Sequence, residues 1–187
     1  MEKELKLFMV VIGCKPKGRF TEQHDVFFGI GTTLKELLPE MKAFWPEAKG
    51  KIHIDSWREI TTVENHSITI EEKKENNFNN NKLFFINLGG YKENDLEEYH
   101  YKIISVGKTL SDATKKSKQT AFYKHCGFKG ARSHIDDKYG IDIDDIYNLN
   151  DVLDEKYTSK YQLKIESSDK ILTEDVLHIG YLKVDKL

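Results

Sequence analysis

The chain changes hydrophobic period twice in its first seventy residues. It opens with two apolar, β-branched and aromatic runs, "LFMVVIGC" and "EQHDVFFGIG", which end at or beside glycine and are separated by the turn-rich "KPKGRF". Such runs predict a pair of strands. A helix is disfavoured over the second run, because Gly29 and Gly31 would each cost a helix interior about 1 kcal/mol. The period then becomes helical: Leu34, Leu37, Leu38, Met41, Phe44 and Trp45 fall on one stripe. "TLKE", Thr33 to Glu36, fits a capping box at its start, Pro39 inside it predicts a kink or a tightened first turn, and Pro46 ends it. Strand-like runs return in "KIHIDSW" and "HSITIEE". The predicted unit is strand, strand, helix, strand, strand.

The same order is written again. Sliding the chain on itself by 76 positions matches Lys6/Lys82, Leu7/Leu83, Phe8/Phe84, Gly13/Gly89, Glu22/Glu98, His24/His100, Gly31/Gly107, Thr33/Thr109 and Leu34/Leu110. Random pairing over that stretch gives about two identities. Past the helix an offset of 81 matches His53/His134, Ile54/Ile135, Asp55/Asp136 and Ile60/Ile141. The asparagine-rich "EEKKENNFNNNK" between the copies cannot feed a core and reads as a linker or hairpin tip. The second helix, opened by Thr109 and Asp112, has the poorer stripe Leu110, Ala113, Ser117, Ala121 and Phe122. The acidic "DIDDIYNLNDVLDEKYT" reads as an inserted loop with a short helix, before the strands "YQLKIES" and "VLHIGYLKV".

The expected fold is therefore α+β: a duplicated β-β-α-β-β unit with mixed, mostly antiparallel sheets. Residues 1–78 form the first copy. Residues 79–187 form the second, with the acidic insertion and an extra C-terminal strand. Two copies are too few for a solenoid, so they are expected to pack on each other about a pseudo-twofold axis as one globule.

The duplication draws attention to the polar residues it repeats. A strand, helix, strand connection predicts that the second and third strands run the same way. If they are neighbours, Glu22 and His24 approach His53 and Asp55, and Glu98 and His100 approach His134 and Asp136. Alternation turns His53, Asp55 and Trp57 to one side of their strand and Ile54 to the other. Two imidazoles with two carboxylates form a donor set for a divalent metal, with His24, His53 and Asp55 as ligands and His100, His134 and Asp136 as second-copy equivalents. They also form a general acid and base set. The plainer and favoured reading is structural: histidine and carboxylate on adjoining strands make cross-strand pairs that hold a sheet or a seam. Arg19 and Asp25, present only in the first copy, make that half the expected seat of any catalysis by Glu22, His24, Asp25, His53 and Asp55. Cys14 closes an apolar strand and reads as packing rather than as a nucleophile.

Composition narrows the remaining classes. With 32% charged, 39% hydrophobic and 11% aromatic residues, the chain is expected to be globular and water-soluble. The apolar run near the start is too short to span a bilayer. A net charge of -2 offers polyanions no overall attraction, so nucleic acid would need a local patch such as Lys115, Lys116 and Lys118. Two cysteines, Cys14 and Cys126, in neither a C-x-x-C nor a dense framework, point to a reduced cytoplasmic setting. There is no phosphate-binding loop, dinucleotide fingerprint, nucleophile elbow or H-E-x-x-H helix.

Gly13 at a strand end, the R-x-x-E-x-H-D stretch of Arg19, Glu22, His24 and Asp25, and the later His53 and Asp55 resemble the bacterial family catalogued as domain of unknown function 1543. The resemblance covers about the first sixty residues. It implies a cytoplasmic bacterial protein and brings no activity. The expected function is that of a small intracellular binding or interaction module, with a protein or small molecule as partner and a divalent metal as the one cofactor indicated. A metal-assisted hydrolase or transferase at the first-copy cluster is the alternative.

Overall fold

The computed structural model describes residues 4–73, 80–91, 94–119 and 141–187. They form an α+β protein of three small sheets with few helices, and every paired strand among them is antiparallel. The chain divides into two compact units, one of Met1–Asn77 with Leu153–Leu187 and one of Phe78–Val152.

In the first unit, β1 (Lys6–Cys14), β2 (Gln23–Gly31), β3 (His53–Glu59) and β10 (His178–Lys183) form a sheet in the order β10-β3-β1-β2. Alternation along β1 sends Phe8, Val10, Ile12 and Cys14 into a core with Leu34, Leu37, Met41 and Ile54. Burying each of the larger side chains contributes about 1.5–3 kcal/mol, and this one-sided burial leaves Gly13 on the opposite face. The helical segment is split, as Pro39 foretold. A 3-10 turn, Leu34–Leu37, leads into α1 (Leu38–Phe44), where Pro39 sits at the start and needs no backbone donor. Thr33 caps the turn by accepting from the Glu36 N–H at 3.4 Å, but the Glu36 carboxylate reaches Thr32, its N at 3.0 Å and its Oγ1 at 2.7 Å, rather than closing a box on Thr33.

β2 and β3 run the same way because both are antiparallel to β1, yet they are not neighbours, for β1 lies between them. A second correction follows from the register. Val11 pairs with Ser56 and Ile12 with Ile54, so Asp55 is the extra residue of a β-bulge. The bulge reverses the phase of β3. Trp57 therefore leaves the face of His53 and Asp55, pairs with Val10, and rests against the core with its ring 6.2 Å from Phe8.

A smaller sheet of β4 (Thr62–Val63), β5 (His66–Glu72) and β9 (Tyr161–Ser167) completes this unit. Asp175 ties the returning tail to it, accepting from Thr61 Oγ1 at 2.6 Å and from the backbone N–H groups of Thr61 and Thr62 at 3.1 Å. Division of the sequence at Asn79 assigns β9 and β10 to the second copy, whereas their hydrogen bonds run to β5 and β3 of the first unit.

The second unit has β6 (Lys82–Tyr91) between β7 (Glu98–Gly107) and β8 (Ile141–Asn148), with α2 (Leu110–Ser117) packed so that Ala113 joins Phe84, Ile86 and Leu88. Thr109 and Asp112, read as opening the second helix, form a capping box there. The stretch read as an acidic loop begins as β8: "IDIDDIYN" alternates isoleucine with aspartate and is paired along β6. Ala121, Phe122, Cys126, His134 and Asp136 lie outside the described residues.

Candidate metal centre

Gly13 pairs with His24 of β2 on one side and with His53 of β3 on the other. The two histidines thus share a row across three strands, with the middle position lacking a side chain. A Cβ at Gly13 would overlap His53 Nε2 and lie 2.8 Å from Asp55 Oδ2. That missing methyl is the space in which the cluster meets.

Four donor side chains converge there. His24 Nε2 is 3.2 Å from Asp55 Oδ2 and 3.7 Å from Glu22 Oε2, while His53 Nε2 is 3.3 Å from Glu22 Oε1 and 3.4 Å from Asp55 Oδ1. One donor atom each from Glu22, His24 and His53 all lie within 4.8 Å of one another. Burial is graded, from His53 with its side chain 9% exposed to His24 and Glu22 at 45% and 47%. The cluster therefore has a closed inner side and an open outer one.

Distances of this length would ordinarily mean hydrogen bonds, yet His53 Nε2 and Asp55 Oδ2 are buried and make none. They stand instead within ion-pair distance of their neighbours, His53 Nε2 of Glu22 and Asp55 and Asp55 Oδ2 of His24. Unmet buried polar atoms cost about 1–3 kcal/mol apiece, so they call for an explanation. The separations run from 3.2 to 3.7 Å, each histidine facing a different oxygen of each carboxylate, and ligands placed 2.0–2.2 Å from a tetrahedral ion stand about 3.3–3.6 Å apart.

The other sequence candidates fall elsewhere. Asp25, beside Ile12 in the register, alternates away from His24, and its Oδ1 accepts from the Val26 N–H at 2.7 Å. Arg19 is exposed in the turn before β2, held by its N–H donating to the Pro16 carbonyl at 3.2 Å. Cys14 points into the core, where burial first and then the negative charges of Glu22 and Glu47 raise its thiol pKa, against nucleophilic use. In the second unit His100 is paired with Gly89, but Gly89 faces Asp142 of β8 where Gly13 faces His53. Glu98 is paired with Tyr91, farther along the strand. On α2, Lys116 Nζ donates to the Val106 carbonyl at 2.5 Å, which takes that lysine out of the cationic patch.

Sequence reasoning passed over Tyr181 and His178, because the tail lies outside the repeat. Tyr181 rests against His53 with ring centroids 4.6 Å apart, and His178 stacks on Trp57 at 3.8 Å. The one sequence signal for them is polar and aromatic residues in the strand run "HIGYLK".

Fold and site together define a small α+β protein with a histidine and carboxylate cluster on the face of an antiparallel sheet opposite its core. Comparison with known proteins bears on family resemblance and on fold. The sequence model of the family described as Domain of Unknown Function (DUF1543) matches residues 19–70, the segment that holds Glu22, His24, His53 and Asp55, and the chain resembles that family there. A solved structure, that of a protein Il1583 from Idiomarina loihiensis, is similar over 96% of this chain and 97% of its own, with a TM-score of 0.56 and 17% identity, a likeness of fold alone. No curated protein matches. No helix among the described residues is long and apolar enough to cross a membrane.

Proposed function

We propose that this protein binds one divalent transition-metal ion, of the zinc class, through Glu22, His24, His53 and Asp55. The observation that carries the reading is the pair of buried donor atoms, His53 Nε2 and Asp55 Oδ2, left without hydrogen bonds at a point where two further donor side chains converge. Neutral imidazoles with two carboxylates would balance the charge of a divalent ion, which limits the cost of holding it in a half-buried site. A purely structural pair would instead satisfy its own atoms. The second reading, metal-assisted hydrolysis or group transfer, is favoured by the exposure of His24 and Glu22, which leaves the outer side of such an ion open to a water or substrate.

Elemental analysis of untagged protein beside a His24→Ala, His53→Ala variant tests the metal reading. Near-stoichiometric metal that the variant lacks is expected. Metal-free protein that also fails to take up added Zn(II) or Co(II) would reject it.

The same proposal extends to duplication. It is supported by the identities repeated at an offset of 76 and by like registers, which replace the pairing of His53 with His134 and of Asp55 with Asp136. β1 pairs with β3, and β6 with β8, each with a shift one step before the glycine, between Val11 and Ile12 and between Asn87 and Leu88. On that alignment Asp142 and Asp144 correspond to His53 and Asp55, and the second copy no longer carries the full donor set.

A further inference from the structure

We infer that Tyr181 is a positioning residue for His53, a role that rests on the metal reading above and assigns the C-terminal strand a part in the site. β10 pairs with β3 through His178 with Trp57, Ile179 with Ser56, Leu182 with Ile54 and Lys183 with His53. Between Ile179 and Leu182 the register slips, so that Gly180 and Tyr181 on β10 stand against the single bulged residue Asp55 on β3. The two irregularities meet at one place, and that place is the donor cluster.

Their joint effect is to turn Tyr181 over His53. Gly180 has φ +129°, and a Cβ there would meet nothing within 4 Å. Glycine is therefore required by backbone conformation and not by space. The tyrosine ring then lies on the imidazole at 4.6 Å with a tilt of 35°. Tyr181 is 63% exposed, so it contributes little to the core. One of its ring faces meets water and the other covers the most buried ligand. No hydrogen bond holds His53 Nε2, so packing joins the nearby carboxylates of Glu22 and Asp55 in fixing the direction in which that atom points. A ring resting on the imidazole restricts its rotation and keeps solvent from the inner side of the ion.

The test compares Co(II) and Zn(II) binding, by competition with a chromophoric chelator, for the wild type, Tyr181→Phe and Tyr181→Ala, with melting of the metal-free forms alongside. Tyr181→Phe should bind within about twofold of wild type, and Tyr181→Ala about tenfold more weakly with an altered Co(II) ligand-field spectrum, the metal-free melting points being alike. Gly180→Ala should act in the same direction as Tyr181→Ala by straining the slip. Wild-type affinity and spectrum in Tyr181→Ala overturn the role of Tyr181 and leave the metal site standing. So does a loss in Tyr181→Phe equal to that in Tyr181→Ala, which would make the hydroxyl the active part. Absence of metal binding by the wild type overturns both.

Discussion

Gly13→Ala is the sharpest perturbation of the site, because it adds a single methyl where the donors meet. The new Cβ would overlap His53 Nε2 and stand 2.9 Å from His53 Cε1 and 2.8 Å from Asp55 Oδ2. Carbon contacts relax to about 3.5–4.0 Å, so the imidazole must withdraw by about 1 Å. A metal ligand tolerates about 0.2 Å. Displacing one ligand fully and a second in part is expected to weaken metal binding at least a hundredfold, about 2.7 kcal/mol. The fold should suffer far less. The atoms in the way belong to side chains whose neighbours open toward solvent, so the overpacking cost falls near the low end of its usual range of about 1–3 kcal/mol, and replacing glycine returns about 0.4–1 kcal/mol by restricting the unfolded chain. Competition with a chromophoric chelator reads the first quantity and thermal unfolding in excess chelator the second. Gly13→Ala with wild-type metal affinity would refute the argument, since an ion held by these residues cannot share that space with a methyl group.

Asp55→Asn keeps the shape of the cluster but removes a charge, and is expected to lower metal affinity about tenfold or more while leaving metal-free stability within about 1 kcal/mol of wild type, as calorimetric titration and melting would show. Acidification should release the ion, because imidazole and carboxylate must be deprotonated to ligate; proton uptake that accompanies metal release in an unbuffered titration is the check. Asp175→Ala strips partners from the Thr61 and Thr62 donors and from Arg58, whose guanidinium lies 4.0 Å away and has its pKa lowered by burial, with Asp175 opposing that shift. A loss of about 3 kcal/mol in denaturant unfolding is expected, and a loss under 1 kcal/mol would show that the tail is held by other contacts. In the second unit Thr109→Ala should cost about 1 kcal/mol by removing the helix cap. Asp112 has its pKa lowered mainly by the hydrogen bond from the Thr109 hydroxyl. Its contribution to stability is therefore present above its unfolded pKa and lost as pH falls through the lower folded value. Melting of Thr109→Ala should accordingly show a shallower acid dependence than wild type.

Local pattern carried much of this fold. Alternation made Phe8, Val10 and Ile12 legible as one core face, the Leu34 to Trp45 stripe as a helix, and Pro39 as the point where that helix tightens. The donor residues were legible as well, since Glu22, His24, His53 and Asp55 stand out as polar residues within or beside strand runs. What was misread needed partners to interpret. "IDIDDIYN" has a strand's period but an acidic loop's composition, and only the row of donors along β6 decides in favour of the strand. Trp57 was assigned to the site face by counting in twos, and a bulge, invisible in the sequence, changed the count.

The sequence by itself determined which residues are chemically able to form a site, and that their strands run in a common direction, because composition, alternation and the helical connection are local properties of the chain. Tertiary structure alone decided that β1 lies between those strands, that Gly13 leaves the gap in which the donors meet, and that Tyr181, far along the chain, closes over His53. The physical reason is that strand order and register are set by hydrogen bonds and packing between distant segments, and a one-residue shift in either sends every side chain beyond it to the other face.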